Sequence, residues 1–282
     1  MTRLLVVGAL HWDVIVQAPR LPREDETLKG DRVGYKFGGK GGNQAIAAAR
    51  AGASVSFAGR IGADEPGREM ADILNTAGVD TTALQHGTGA SGMSVAIAAK
   101  DGSYQAVIVS GENANFDIDA FRFPENCHMV LLQNEMPLHV LRHMIGLAKQ
   151  ANAQVILNAA PADGITPEDM SRVDGLIVNC VEGADLLKTA IGQLDPDTMV
   201  TRLQRLCPQA RIILTLGGDG VAFAEPMGDV KTAAARCVDV VSTHGAGDVF
   251  CGTYAAACLQ GVGMSDAINH AQDAAARHIT AP

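Results

Sequence analysis

Short apolar runs alternate with helical stretches along nearly the whole chain, and this alternation limits the fold more than any other feature. Leu4–Val7, Ser54–Ala58, Met129–Gln133, Val155–Leu157, Leu176–Val178 and Arg211–Thr215 read as strands. They are short, mostly apolar and rich in β-branched residues. Gln44–Ala51, Glu65–Ala77 and Pro137–Ala151 have helical spacing between them, and Gly52 and Gly78 stand where helix C-termini place glycine. Helices are also expected after Val155–Leu157 and after Leu176–Val178. Val221–Ala224 returns as a strand, and Gly247–Leu259 and Ser265–His278 read as closing helices. The pattern predicts an α/β fold with a mainly parallel sheet and helices on both faces.

Two stretches break the alternation. Asp13–Lys36 opens with an extended piece, then turns polar and carries Pro19 and Pro22. Met93–Ala99 and Gln105–Val109 flank Asp101-Gly102, a hairpin signal. Both stretches read as antiparallel, with polar alternation. They predict a small second sheet, inserted at about 13–36 and 93–109 into one domain spanning 1–282, that serves as a lid.

Composition removes several functional classes. The apolar content of 47% and charged content of 19% suit a soluble globular chain with a large core. A net charge of -9 argues against non-specific nucleic-acid binding, which needs a basic surface. None of the six cysteines forms a CxxC pair, so reduced thiols in a cytoplasmic protein are expected. No apolar stretch is long enough to span a membrane. Met1–Leu10 faintly resembles a leader, but its apolar run is short and His11-Trp12-Asp13 follows directly, so a first strand is expected.

The chemistry concentrates in a few places. Val240-Val241-Ser242 reads as the end of a strand, Thr243–Gly247 as a small-residue turn, and the following residues as a helix. Free N–H groups at a helix start suit a phosphate. Asp248 falls in the first helical turn, where it either caps the helix or accepts a proton from a hydroxyl that attacks the phosphate. Gly38-Gly39-Lys40-Gly41-Gly42-Asn43 is a glycine turn whose backbone, Lys40 and Asn43 suit sugar hydroxyls. Gly34–Lys40 has P-loop spacing, but Gly41 stands where the magnesium-binding Ser/Thr belongs, so a P-loop is rejected. Asn179 and Glu182, three apart after a strand, form either a helix cap or a water-mediated Mg²⁺ site. His139 and His143 lack an HExxH pattern and are given no metal role. Trp12 reads as packing at the base of the lid.

Taken together, these stretches resemble the ribokinase, or PfkB, family of carbohydrate kinases. Gly38-Gly39-Lys40-Gly41-Gly42-Asn43 is similar to the family's sugar-binding Gly-Gly-Lys-Gly-x-Asn. Gly245-Ala246-Gly247-Asp248-Val249-Phe250 is similar to its Gly-Ala-Gly-Asp-x-Phe. Asn115, Glu135, the turn at Asn158–Ala162, Asn179-x-x-Glu182 and Thr215-Leu216-Gly217-x-x-Gly220 lie between them in family order. The resemblance covers nearly the whole chain, with the ribose-phosphorylating members nearest. It implies a three-layer α/β sandwich with a small β-sheet lid and ATP-dependent phosphorylation of a small sugar, ribose leading.

Residue by residue, the resemblance makes Asp248 the general base; the reference pKa of Asp, about 3.9, leaves it ionised at neutral pH. Gly245, Ala246 and Gly247 become the anion hole. Asp13, His11, Gly39, Lys40, Asn43 and Glu135 face the sugar. Thr215, Gly217, Gly220, Asn179 and, more weakly, Gln272 face the nucleotide, and Glu182 with Asn179 organises Mg²⁺ through water or ATP.

Three departures qualify the resemblance. His11 replaces an Asn that should touch the sugar, which leaves acceptors other than ribose open. Ser242 replaces an Asp of the monovalent-cation site, which counts against potassium activation. The sequence ends at Pro282, where family members usually continue through another loop and helix. Nucleoside, ketohexose or acid-sugar kinases remain alternatives within the class, and a non-catalytic sugar- or nucleotide-binding regulator is the alternative outside it. Exposed lid edges predict a homodimer formed through the lid.

Overall fold

The computed structural model describes residues 3–280; the leader reading at Met1 and Thr2 and the end at Pro282 fall outside them. The elements run β1 (Arg3–Val7), β2 (His11–Ala18), β3 (Arg32–Gly38), α1 (Lys40–Arg50), β4 (Ser54–Ile61), α2 (Glu65–Thr76), β5 (Asp80–His86), β6 (Met93–Ala99) and β7 (Tyr104–Val109). They continue through β8 (Cys127–Gln133), α3 (Leu138–Gln150), β9 (Gln154–Asn158), α4 (Pro167–Ser171), β10 (Gly175–Asn179), α5 (Cys180–Leu187) and α6 (Pro196–Leu206). The last are β11 (Arg211–Thr215), β12 (Val221–Ala224), β13 (Lys231–Ala233), α7 (Ala246–Leu259) and α8 (Met264–Thr280).

Nine strands form one sheet in the order β13-β12-β11-β10-β9-β8-β1-β4-β5. The run from β11 to β5 is parallel, and β12 and β13 add antiparallel at one edge. The pleat sends alternate side chains to opposite cores. Leu5 and Val7 enter a cluster with Leu141 and Met144 of α3 and Met199 and Leu203 of α6. Leu4 and Val6 enter one with Ile46 of α1, Met70 of α2, Tyr254 of α7 and Ile268 of α8. The central strands are buried on both faces, which is why they read as continuous apolar runs.

The second sheet has the order β3-β2-β6-β7. Its hairpins β2–β3 and β6–β7 are antiparallel, but β2 and β6 join them in parallel, which the all-antiparallel reading did not anticipate. At its root, buried Asn113 accepts the Leu10 N–H at 3.0 Å and donates to the Leu10 carbonyl at 2.7 Å.

Four local differences from the sequence reading have physical causes. Val240–Ser242 is not a strand: it joins neither sheet. Val240 and Val241 are exposed, and the Val241 and Ser242 amides donate to the Ile279 carbonyl instead. Lys40–Asn43 is the first turn of α1 rather than an open glycine turn. Gly41 lets that turn press on the backbone at Gly8, since a Cβ there would lie 2.7 Å from the Gly8 Cα. β5 was not anticipated because it is an edge strand with one neighbour and a polar sequence, Asp80-Thr81-Thr82-Ala83-Leu84-Gln85-His86. β13, three residues long, carries too little pattern to read.

Candidate active site

Asp248 stands in the first turn of α7, 7% exposed. Its two carboxylate oxygens accept separate hydrogen bonds from adjacent residues of α1. Asn43 Nδ2 donates to Oδ2 at 3.0 Å, and Gln44 Nε2 donates to Oδ1 at 3.1 Å. Such donors fix a carboxylate in one orientation.

The helix behind Asp248 begins without a side-chain cap. Gly245 is its N-cap, in the left-handed region at φ 77°. Above that turn the space is open: a Cβ on Gly247 would meet nothing within 4 Å. Ala246 and Gly247 border a cavity of about 560 Å³ that Thr215, Gly217, Gly220 and Gln272 also line. Gln272 is buried, and its Nε2 donates to the Ala233 carbonyl at 3.2 Å. The cavity's outer wall is the irregular segment after β13, including Cys237, Val238 and Val240. That wall was missed because its apolar residues read as a strand.

Asn179 and Glu182 lie beside this cavity rather than on its lining. Asn179 pairs in register with Thr215. The two residues form a capping box on α5: Asn179 Oδ1 accepts from the N–H groups of Val181 and Glu182, and Glu182 Oε2 accepts the Asn179 N–H at 2.9 Å. Burial raises the Glu182 carboxyl above the ordinary carboxylate range, against the pull of the Asn179 N–H and the Lys40 charge, with Asp185 and Asp248 adding to the rise.

A charged cluster sits between the two sheets. Glu135 Oε2 accepts the Lys40 backbone N–H at 2.7 Å. Burial pushes the Glu135 carboxyl up to about 7, opposed by Lys40 and reinforced by Asp248 and Asp13. Burial works against the Lys40 ammonium, but the carboxylates of Asp248, Glu135 and Glu182 outweigh it and raise its pKa. Asp13, on β2, is buried, accepts a short hydrogen bond from Ser94 on β6 and lies over Gly38. His11 is buried with no partner on Nε2; burial lowers its pKa against the Asp13 charge. His244 is lowered by burial and by Lys36. Ser242 is exposed, and its Oγ accepts the His244 N–H at 3.3 Å.

The structure therefore gathers Asp13, Gly39, Lys40, Asn43, Glu135 and Asp248 around one space, and Thr215, Gly217, Gly220 and Gln272 around the adjoining cavity. Sequence reasoning gave no site role to Gln44, Ser94, Gln133 or Asn158, all placed at or under the carboxylates. A signal existed for Gln44, the one amide in the otherwise apolar run Gln44-Ala45-Ile46-Ala47-Ala48-Ala49.

A carboxylate held in the first turn of a helix without a side-chain cap, beside a cavity of about 560 Å³, can deprotonate a hydroxyl next to a phosphoryl group. The chain matches the pfkB family carbohydrate kinase model over residues 1–282. It is 32% identical to the ribokinase of Haemophilus influenzae, covering 98% of this chain and 92% of that protein. It is 29% identical to the ribokinase of Bacillus subtilis, with the same coverage of 98% and 92%. The structure of Arabidopsis thaliana ribokinase complexed with ribose and ATP superposes with a TM-score of 0.89 at 26% identity, over 100% of this chain and 94% of that one. The chain belongs to the pfkB family of carbohydrate kinases. It is a sugar kinase, a phosphotransferase whose acceptor is an alcohol group.

Proposed function

We propose that the chain transfers the γ-phosphate of ATP to a hydroxyl of a pentose, with ribose the leading acceptor. The observation that carries this reading is Asp248, fixed by two amides at the open start of α7. In this reading Asp13, His11, Gly39, Lys40, Asn43 and Glu135 hold the sugar. Asp248 takes the proton of the attacking hydroxyl as its oxygen bonds the γ-phosphorus and the bond to ADP breaks. Gly245, Ala246 and Gly247 receive the charge on the transferring group, and the Lys40 ammonium adds to it. Thr215, Gly217, Gly220 and Gln272 border the nucleotide.

Asn179 and Glu182 would hold Mg²⁺ through water and the ATP phosphates, and the ion would neutralise charge on those phosphates. Glu182 fits this role because its cap uses only Oε2. Mg²⁺ is usually bound through one or two carboxylates with substrate phosphates and water, a set to which Glu182 can contribute. Ser242 offers no carboxylate to a monovalent cation, so K⁺ is expected to change turnover little.

The small sheet acts as a lid and as a dimer interface in this reading. Tyr35, Val95, Tyr104, Val107, Ile108 and Val109 are exposed on it, and β7 is an open edge. An apolar edge of this kind favours a second copy. Light scattering at micromolar concentration should give a dimer mass, and Ile108→Lys should lower it to a monomer's. No described helix is long and apolar enough to cross a membrane, and the exposed Cys237 thiol suits the reducing cytoplasm.

The test of the activity is ATP consumption with Mg²⁺ against pentoses, ketohexoses and nucleosides, with and without K⁺. Ribose should give the largest kcat/KM, and Asp248→Asn should cost about 10²–10⁴-fold in kcat while sugar and ATP still bind. Undiminished turnover by that variant would remove Asp248 from the base role; a stronger nucleoside substrate would replace ribose.

A further inference from the structure

Beneath Asp248 lies a chain of buried amides that the motifs do not account for. Asn158 Nδ2 donates to the Ile177 carbonyl at 3.1 Å, which leaves Asn158 Oδ1 facing α1. There it accepts from Gln44 Nε2 at 3.0 Å. The same Gln44 Nε2 donates to Asp248 Oδ1, and Gln44 Oε1 accepts from Gln133 Nε2 at 2.7 Å. Gln44 is wholly buried, and Gln133 is 2% exposed.

The relay has one consistent polarity. It begins on a backbone carbonyl and reaches a carboxylate, and both can only accept. An amide with a proton on each side must therefore stand between Asn158 and Asp248. Reversing Gln44 would set its oxygen against both Asn158 Oδ1 and Asp248 Oδ1. Gln133 Oε1 is left without a partner, so the orientation is kept even where it costs a hydrogen bond. Backbone spacing supports the arrangement. Gly252, one turn beyond Asp248, faces Gln44, and a Cβ there would lie 2.3 Å from the Gln44 carbonyl oxygen. α1 and α7 can approach closely enough for the Gln44–Asp248 bond only because that Cβ is missing.

We propose that Gln44 is a positioning residue: the relay from Ile177 through Asn158 presents its amide N–H to Asp248 and aims the carboxylate. The inference rests on the kinase reading above. The ionisable groups whose fields couple to Asp248 are Lys40 of α1, Glu135 after β8, Glu182 of α5, His244 before α7 and Cys251 on α7 itself. Only Lys40 among them is a fixed cation, so loss of the Gln44 donor falls on a site crowded with carboxylates.

The test compares the full-length protein with Gln44→Leu, Gln44→Glu and Asn158→Leu, the last touching Gln44 but not Asp248. Gln44→Leu is expected to lower kcat about 10²-fold, with KM for sugar and ATP within about twofold of the original. Gln44→Glu, of the same length but with a second carboxylate in place of the donor, should lose at least as much, and Asn158→Leu less. Melting curves and the ¹³C signal of the Asp248 carboxyl accompany each variant. A kcat that does not fall, a fall matched by an equal rise in KM, or a carboxyl signal that superimposes on the original overturns the proposal. If Gln44→Leu fails to fold, the other two variants decide it. If the original protein phosphorylates no sugar, the kinase reading fails, and the carboxyl signal alone decides whether the relay orients Asp248.

Discussion

Two helices, α5 and α7, settle their first turns in opposite ways. α5 follows β10 directly and is closed by its own side chains, Asn179 and Glu182 satisfying each other's backbone. α7 follows an irregular segment, begins at Gly245 and has no side-chain cap. The four leading N–H groups of any helix need partners. α5 supplies partners for three of its own, the N–H groups of Asn179, Val181 and Glu182. In α7 the Ala246 N–H donates to the Thr243 carbonyl at 3.2 Å, no side chain caps the turn, and its carboxylate is held back by amides from another helix. A capped start stabilises the chain, and an open one can serve chemistry.

The contrast breaks most sharply at Gly247. Gly247→Val should leave the melting temperature nearly unchanged, since nothing lies within 4 Å of the Cβ position. It should cost about 10²–10³-fold in kcat by filling the space over the open turn. An equal loss of stability would mean that the turn is a packing element like that of α5. Asn179→Ala, unlike Gly247→Val, should remove about 1 kcal/mol of stability through the lost cap, read as a lower denaturant midpoint. Glu182→Gln sharpens the comparison, because Glu182 is both cap and proposed Mg²⁺ partner. The Mg²⁺ concentration for half-maximal turnover should rise several-fold, whereas a purely structural cap would leave it in place.

The last effect is on pH. Glu135 titrates at about 7 in the folded chain against 4.5 for a free glutamate. The folded state therefore binds more protons between these values, and stability falls as pH rises from about 4.5 to about 7. Denaturant midpoints of the ligand-free protein should show this slope, and Glu135→Gln should flatten it.

The parallel sheet was legible because its strands are buried on both faces, which leaves unbroken runs such as Leu4–Val7 and Leu176–Val178. β5 and β13 were not, because edge strands meet water and lose that pattern. Val240–Ser242 shows the converse: β-branched residues alone do not make a strand where no neighbour offers hydrogen bonds. At the site, glycine spacing marked where Asn43 and Asp248 stand. It could not show that residues 205 positions apart are bonded, since that meeting depends on how α1 and α7 cross. Gln44 stayed hidden for the same reason: an amide's role is set by what lies across the helix interface, and the sequence records only one side.

Leu10 is the last residue before β2, and Asn113 grips both of its amide groups as a neighbouring strand would. A residue held in this way cannot rotate its backbone without giving up two hydrogen bonds at once. The small sheet thus has no hinge where that strand leaves the large one. If the small sheet closes as a lid, its movement is taken up elsewhere than at Leu10.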